Sequence, residues 1–263
     1  SNSLAGAYGI AVTGTMIITS LLFFLVLTHY RRWPLWKVMP LVGIFIAFDI
    51  AFFVGNTFKI IDGGWFPLFV AAIVALVMTT WKKGREELYR NLIGARLPVE
   101  SFLADLPRSH IPRVSGTAVF MTLSPLGTPR TLLHNVKHNH VLHEQVVFLS
   151  IMAKDTPIVP VSERIKIQDL GQGFYRIEAF YGFMQKPNVP QIMKIAAQYG
   201  VITDPMTTTF YLGRETLLTS GKSKMMKWRK SLFALMSRNA GNPTSYFGIP
   251  ANRVVELGAQ VEL

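Results

Sequence analysis

The sequence contains no cysteine, and that absence removes two classes of explanation at once. No disulfide framework can staple the chain, and no thiolate set can hold a metal ion. A reducing compartment is permitted by this and not required. Charge is nearly missing from the first third, where residues 1–81 carry only Arg31, Arg32, Lys37, Lys59, Asp49 and Asp62. The rest of the chain therefore holds 23 of the 27 Lys and Arg and 13 of the 15 Asp and Glu. A Walker loop, a nucleophile elbow and a metal-ligand set are all lacking, which disfavours an enzyme and calls for no cofactor. There is no internal repeat and no low-complexity tract. The opening also lacks the basic region and cleavage site of a signal peptide: Ser1 enters an apolar run within three residues. On this reading the chain is the C-terminal piece of a larger protein.

What is present begins with Leu4 to Thr28, LAGAYGIAVTGTMIITSLLFFLVLT, a run without a charge. At about 1.5 Å per helical residue it can cross roughly 30 Å of hydrocarbon. Its first half crowds Gly6, Tyr8, Gly9, Thr13, Gly14 and Thr15 into lipid depth, while Leu21 to Leu27 is plain hydrocarbon. Small and hydroxyl-bearing faces let helices approach closely and line polar paths, so the segment reads as a packed transporter helix rather than an anchor. Two further spans are expected at about 36–54, apolar except for Asp49, and about 65–81. The cationic borders at residues 31–37 and 82–85 belong on the cytoplasmic side, and the nearly neutral stretch 55–64 on the other.

Beyond these spans the pattern predicts a helical neck over 84–112 and a mixed domain over 113–263. Thr117–Thr122 alternates like a strand, Thr131–His138 suits a short helix, and Gln145–Met152 is a continuous apolar run of a buried strand. Val161–Gln168 and Phe174–Gly182 flank Gly171-Gln-Gly173, a hairpin signal. Asn188 opens a helix to about Tyr199 with Pro190 in its first turn, and Thr207–Leu212 is the last β-rich stretch. The fold class is an α-helical membrane domain of three transmembrane helices followed by an α+β cytoplasmic domain with a mixed sheet.

Three blocks in the membrane part, Leu4–Met16 (LAGAYGIAVTGTM), Phe48–Leu68 (FDIAFFVGNTFKIIDGGWFPL) and Met78–Arg85 (MTTWKKGR), resemble the Kup (KUP/HAK/KT) family of potassium uptake transporters. The resemblance continues through Ser115–Thr122, Leu132–Ile151 and Asn252–Leu263, so collinear blocks cover almost the whole chain. It implies the last three of twelve spans in an inverted-repeat fold, the family's C-terminal domain, and proton-coupled potassium import across a bacterial inner membrane. Potassium and protons would be cargo rather than cofactors. A homodimer and a nucleotide regulator are further expected partners. The rival reading is a membrane-anchored sensor whose soluble domain binds an anion or nucleotide.

Several residues carry the chemistry. Tyr8, in its glycine-rich context, is a candidate for contacting a dehydrated cation, against the plainer reading of an interfacial belt residue. Thr13 is a weaker pathway candidate, because span threonines commonly bond back to their own helix. Asp49 is the only acid within a span, so it must face protein, find a donor or be protonated; a structural hydrogen bond is favoured over proton coupling. Arg130, His134, Lys137 and His138 form a candidate anion or ligand group. The i, i+4 histidines invite a zinc site that no cysteine or pair of acids completes. Lys224, Lys227 and Lys230 alternate with Met225, Met226 and Trp228 and suit an anionic membrane surface, with a helix packed on its own domain as the alternative. The net charge of +12 points to lipid headgroups here, since no nucleic-acid motif accompanies it.

Overall fold

The computed structural model describes residues 2–93, 97–221, 223, 225–241 and 243–262. They form two compact units, residues 1–81 and 82–263.

In the first unit, α1 (Asn2–Leu25) runs into a π-helical turn at Val26–Tyr30, and α2 covers Leu35–Thr57. The third helix, α3 (Trp65–Ile93), begins here and does not stop at Trp81; it continues through Lys82, Lys83 and Arg85. Among the described residues these three helices are long and apolar enough to cross a membrane. Helix is the form such segments must take, because in hydrocarbon every backbone group needs a partner within its own segment. Pro34 opens α2 and Pro40 lies inside it, where its ring opposes the carbonyl of Trp36. Absent side chains bring α1 against the end of α2. A Cβ on Gly9 would meet Asn56 Oδ1 at 2.6 Å, and one on Gly6 would meet the Lys59 carbonyl at 3.1 Å. Leu27, Val38 and Val42 close the other end of the pair as a small apolar knot.

The second unit is built on six strands in the order β3-β4-β2-β1-β5-β6. In chain order, a short α4 (Val99–Asp105) precedes β1 (Arg113–Thr122), α5 (Arg130–Asn139) and β2 (Leu142–Lys154). Next come β3 (Ile165–Gly171), β4 (Phe174–Gly182), α6 (Val189–Ala197), β5 (Thr208–Leu218), α7 (Lys227–Arg238) and β6 (Val254–Glu262). Every neighbouring pair is parallel except β3 with β4, so one antiparallel edge strand makes the sheet mixed. The alternation along β1 sorts the core. Val119 faces one apolar cluster with α6, while Ala118 and Phe120 face another with Leu132 of α5 and Phe102 of α4. A sheet covered on both faces explains why β2 reads as a continuous apolar run.

Local signals fix the helix ends. Asn188 caps α6 by accepting from the Gln191 N–H at 3.0 Å, with Pro190 in the first turn, where a missing N–H costs nothing. His140, at φ 52°, ends α5 in the left-handed conformation. Gly171, Gln172 and Gly173 all have positive φ in the β3–β4 hairpin, which is why two glycines stand there.

Two expectations are corrected. Thr207–Leu212 is not the last strand, because β6 pairs with β5 from Phe210↔Val254 to Leu218↔Glu262. The strand expected from Val161 starts only at Ile165, since Pro160 leads into a 3-10 turn over Val161–Glu163.

Candidate functional site

Within residues 1–81 the polar side chains gather along α1. A cleft of about 480 Å³ is lined by Tyr8, Thr15, Thr19, Ser20 and Asp49 together with Ala11, Val12 and Met16. Residues 8, 12, 15 and 19 fall on one helical face, so the cleft follows α1 lengthwise. The threonines spend their protons on their own helix: Thr15 Oγ1 donates to the Ala11 carbonyl and Thr19 Oγ1 to the Thr15 carbonyl, each at 2.8 Å. Their oxygens keep lone pairs, and oxygen lone pairs are what a dehydrated alkali cation requires. Tyr8 is 73 % exposed and also borders an apolar groove of about 1080 Å³ formed by α1 and α3. Thr13 is buried, and its hydroxyl donates to the Gly9 carbonyl at 2.8 Å. Asp49 is 5 % exposed and accepts from Ser20 Oγ at 2.5 Å, a bond that ties α2 to α1.

In the second unit the topology makes a different kind of site. The chain builds outward from β1 through β2 to β4 on one side, then returns to place β5 and β6 on the other. In open sheets of parallel strands, ligands bind outside the carboxyl ends where the order reverses. A cavity of about 320 Å³ lies at that point between β1 and β5. Met121, Thr122 and Leu123 come from the end of β1, and Leu212 to Glu215 from β5. Arg130, Thr131 and His134 come from α5, and Arg85 from α3. Arg130 also donates to the Asn91 carbonyl at 2.8 Å, and Arg214 pairs with Glu256 at 3.3 Å. Burial pushes the Glu215 carboxyl up, and the guanidinium groups of Arg85 and Arg130 pull it back.

The sequence-expected anion group thus divides. Arg130 and His134 line the cavity, while Lys137 and His138 are exposed and stand outside it. His134 and His138 rings lie 5.9 Å apart, and no group of three or more metal-capable side chains forms among the described residues. Arg85, Thr131, Arg214 and Glu215 belong to the site without having been singled out, because only the strand order brings them together.

The basic helix α7 needs a correction. Lys230 is 4 % exposed and donates to the Gly221 carbonyl, so it serves the interior rather than a membrane surface. Lys224 lies outside the described residues. Lys227 is exposed beside Met226 and Trp228, while Phe233 is fully buried.

Comparison with known proteins decides what this assembly belongs to. Residues 1–86 match the K+ potassium transporter integral membrane domain and residues 115–263 the K+ potassium transporter C-terminal domain. The chain belongs to the K+ potassium transporter family. Its relatives include the probable potassium transport system protein Kup 2 of Syntrophobacter fumaroxidans, 57 % identical over all of this chain and 41 % of that protein. Kup 1 of the same organism is 50 % identical and the Kup protein of Myxococcus xanthus 49 %, each covering all of this chain and 40 % of the relative. The chain therefore spans about two-fifths of the length of the curated relatives it matches. No solved structure matches it. Family membership agrees with the three helices long and apolar enough to cross a membrane, since residues 1–86 match an integral membrane domain.

Proposed function

We propose that this chain supplies three spans and a cytoplasmic domain to a transporter that imports potassium together with protons across a bacterial inner membrane. The observation that carries the reading is the polar cleft along α1, in a chain matching both the membrane and the C-terminal family domains. A potassium ion leaving water needs several oxygens to replace its hydration shell. The cleft offers the phenol of Tyr8, the hydroxyl oxygens of Thr15 and Thr19, and the carboxylate held by Ser20. Thr13 is a packing residue on this view, its hydroxyl turned to its own helix. Asp49 acts first as a clasp between two spans, because a carboxylate at that depth demands a donor and Ser20 is one. The cationic borders put the second unit in the cytoplasm.

The test is made in the full-length parent, expressed in a potassium-uptake-deficient strain growing at low potassium. Tyr8→Ala should abolish most of the growth rescue while Lys137→Gln leaves it intact. Rescue by normally expressed Tyr8→Ala at the parental rate would remove Tyr8 from the ion path.

A further inference from the structure

The outward face of α7 has no part in the ion path, and its chemistry is of another kind. Residues 216–255 hold seven Lys and Arg and no Asp or Glu. Within this stretch α7 carries two apolar faces. Phe233 and Ala234 are buried together with Lys230 on the side turned to the domain. Trp228, Leu232 and Leu235, spaced i, i+4 and i+7, make a second stripe, on which Trp228 is 49 % and Leu235 59 % exposed. Leu232 between them is half-buried, and Met226, just ahead of the helix, is exposed. Exposed Lys227 and Arg238 border the stripe. The Trp228 indole N–H meets no acceptor among the described residues, so the ring presents an apolar body with an unused polar tip. Packing also fixes where this helix stands. The buried Phe233 ring covers Gly84 of α3, three residues beyond Trp81, or about 4.5 Å of helix. Every α7 residue lies within about 9 Å of Phe233 along the helix axis. The helix therefore stands beside the cationic border that begins at Lys82.

We propose that the outer stripe of α7 rests on the cytoplasmic leaflet of the bilayer, with Met226, Trp228, Leu232 and Leu235 turned into the interface and Lys227 and Arg238 at its anionic surface. The proposal rests on the cytoplasmic placement of the second unit. A bilayer is favoured over a protein partner by the composition of the stripe and its surroundings. An interfacial helix pairs Trp and Leu on one face with flanking cations, and its polar side carries no acid that an anionic surface would repel. Tryptophan with a free N–H suits the boundary between hydrocarbon and water, where the tip finds acceptors and the ring leaves water. Lys230 takes no part, because it is turned inward to the Gly221 carbonyl. Since Phe233 seats α7 on Gly84, a leaflet contact through the outer stripe restrains the start of the cytoplasmic domain as well as the helix itself.

The test uses the full chain in lipid nanodiscs, with an environment-sensitive fluorophore on one introduced cysteine, which the cysteine-free sequence allows. The label sits at Ser231→Cys, exposed one turn from Trp228, or at Lys166→Cys, exposed on β3. β3 is the sheet edge opposite β6, the strand that packs on α3 through Val261 and Leu88. In discs of phosphatidylglycerol brominated on the acyl chains, the Ser231→Cys label should be quenched and the Lys166→Cys label should not. Discs of brominated phosphatidylcholine should quench the Ser231→Cys label less. In the anionic discs Lys227→Gln should lower the docked-to-undocked ratio roughly fivefold, the loss of one cation at an anionic surface. Trp228→Ser, at a parental melting temperature in detergent, should remove most of the quenching. Quenching at Ser231→Cys no greater than at Lys166→Cys overturns the proposal, as does parental quenching in Trp228→Ser. Equal quenching by neutral and anionic lipid overturns the charge-assisted contact as stated. The placement of the unit is read separately, by a membrane-impermeant thiol reagent added to intact cells, which should leave Lys166→Cys unlabelled. Labelling there would overturn the cytoplasmic placement itself, whereas protection there without quenching at Ser231→Cys would reject the leaflet contact alone.

Discussion

At the scale of single residues, buried polar groups divide into those with partners and those without, and the second kind predicts pH behaviour. His143 on β2 packs its ring edge-on to Tyr211, 6.1 Å between centroids, and its Nδ1 is buried without a partner among the described residues. Burial holds its pKa below the usual histidine range of about 6.5. A histidine that is harder to protonate when folded contributes stability that is present above its unfolded pKa and is lost as pH falls through its lower folded value. The melting temperature of the full chain in detergent should therefore fall as pH drops below about 6.5, and His143→Phe, which keeps the ring contact, should flatten that slope. An unchanged slope in the variant would assign the acid sensitivity elsewhere. Glu215 has the opposite sense: its raised pKa favours the folded state at low pH and is a cost once pH passes the folded value. Residue types alone could not show these environments. Lys230 illustrates the limit, since its spacing from Lys227 suits one helix face, yet the fold buries it on the Gly221 carbonyl.

At the scale of elements, much was legible where local chemistry decides. The cap at Asn188, the glycines of the β3–β4 hairpin and the apolar run of β2 are each written in a few adjacent residues. The sixth strand was not. Val254–Glu262 is exposed at most positions and interrupted by Gly258, so it lacks the apolar signature of β2, and only pairing with β5 makes it a strand. The cavity was unreadable for the same reason: Thr131 and Glu215 come to line it through strand order, not sequence distance. One close approach gives a sharp expectation. Gly84, on the stretch of α3 beyond Trp81, lies directly under the buried ring of Phe233 on α7, and an added Cβ would overlap that ring. Helix propensity alone would make Gly84→Ala stabilising by about 1 kcal/mol, whereas overpacking of this kind costs about 1–3 kcal/mol. The steric effect should win, with chemical denaturation of the full chain showing a net loss of stability. A gain would mean that α7 yields without cost and that the contact does not fix its position on α3.

At the scale of the whole molecule, the claim is that an oxygen-lined cleft in the spans and a basic α/β domain in the cytoplasm serve potassium import driven by protons. Composition already announced the division, because the first 81 residues hold so few charges. The family was legible only through the resemblance, which the match to both parts bears out. Coupling to protons is the step that most needs measurement. The full-length parent should be reconstituted in liposomes and potassium entry followed with and without an imposed inward proton gradient. The account predicts uptake that rises with the gradient, collapses with a protonophore and is lost in Tyr8→Ala. Potassium entry indifferent to the gradient and to the protonophore would contradict it.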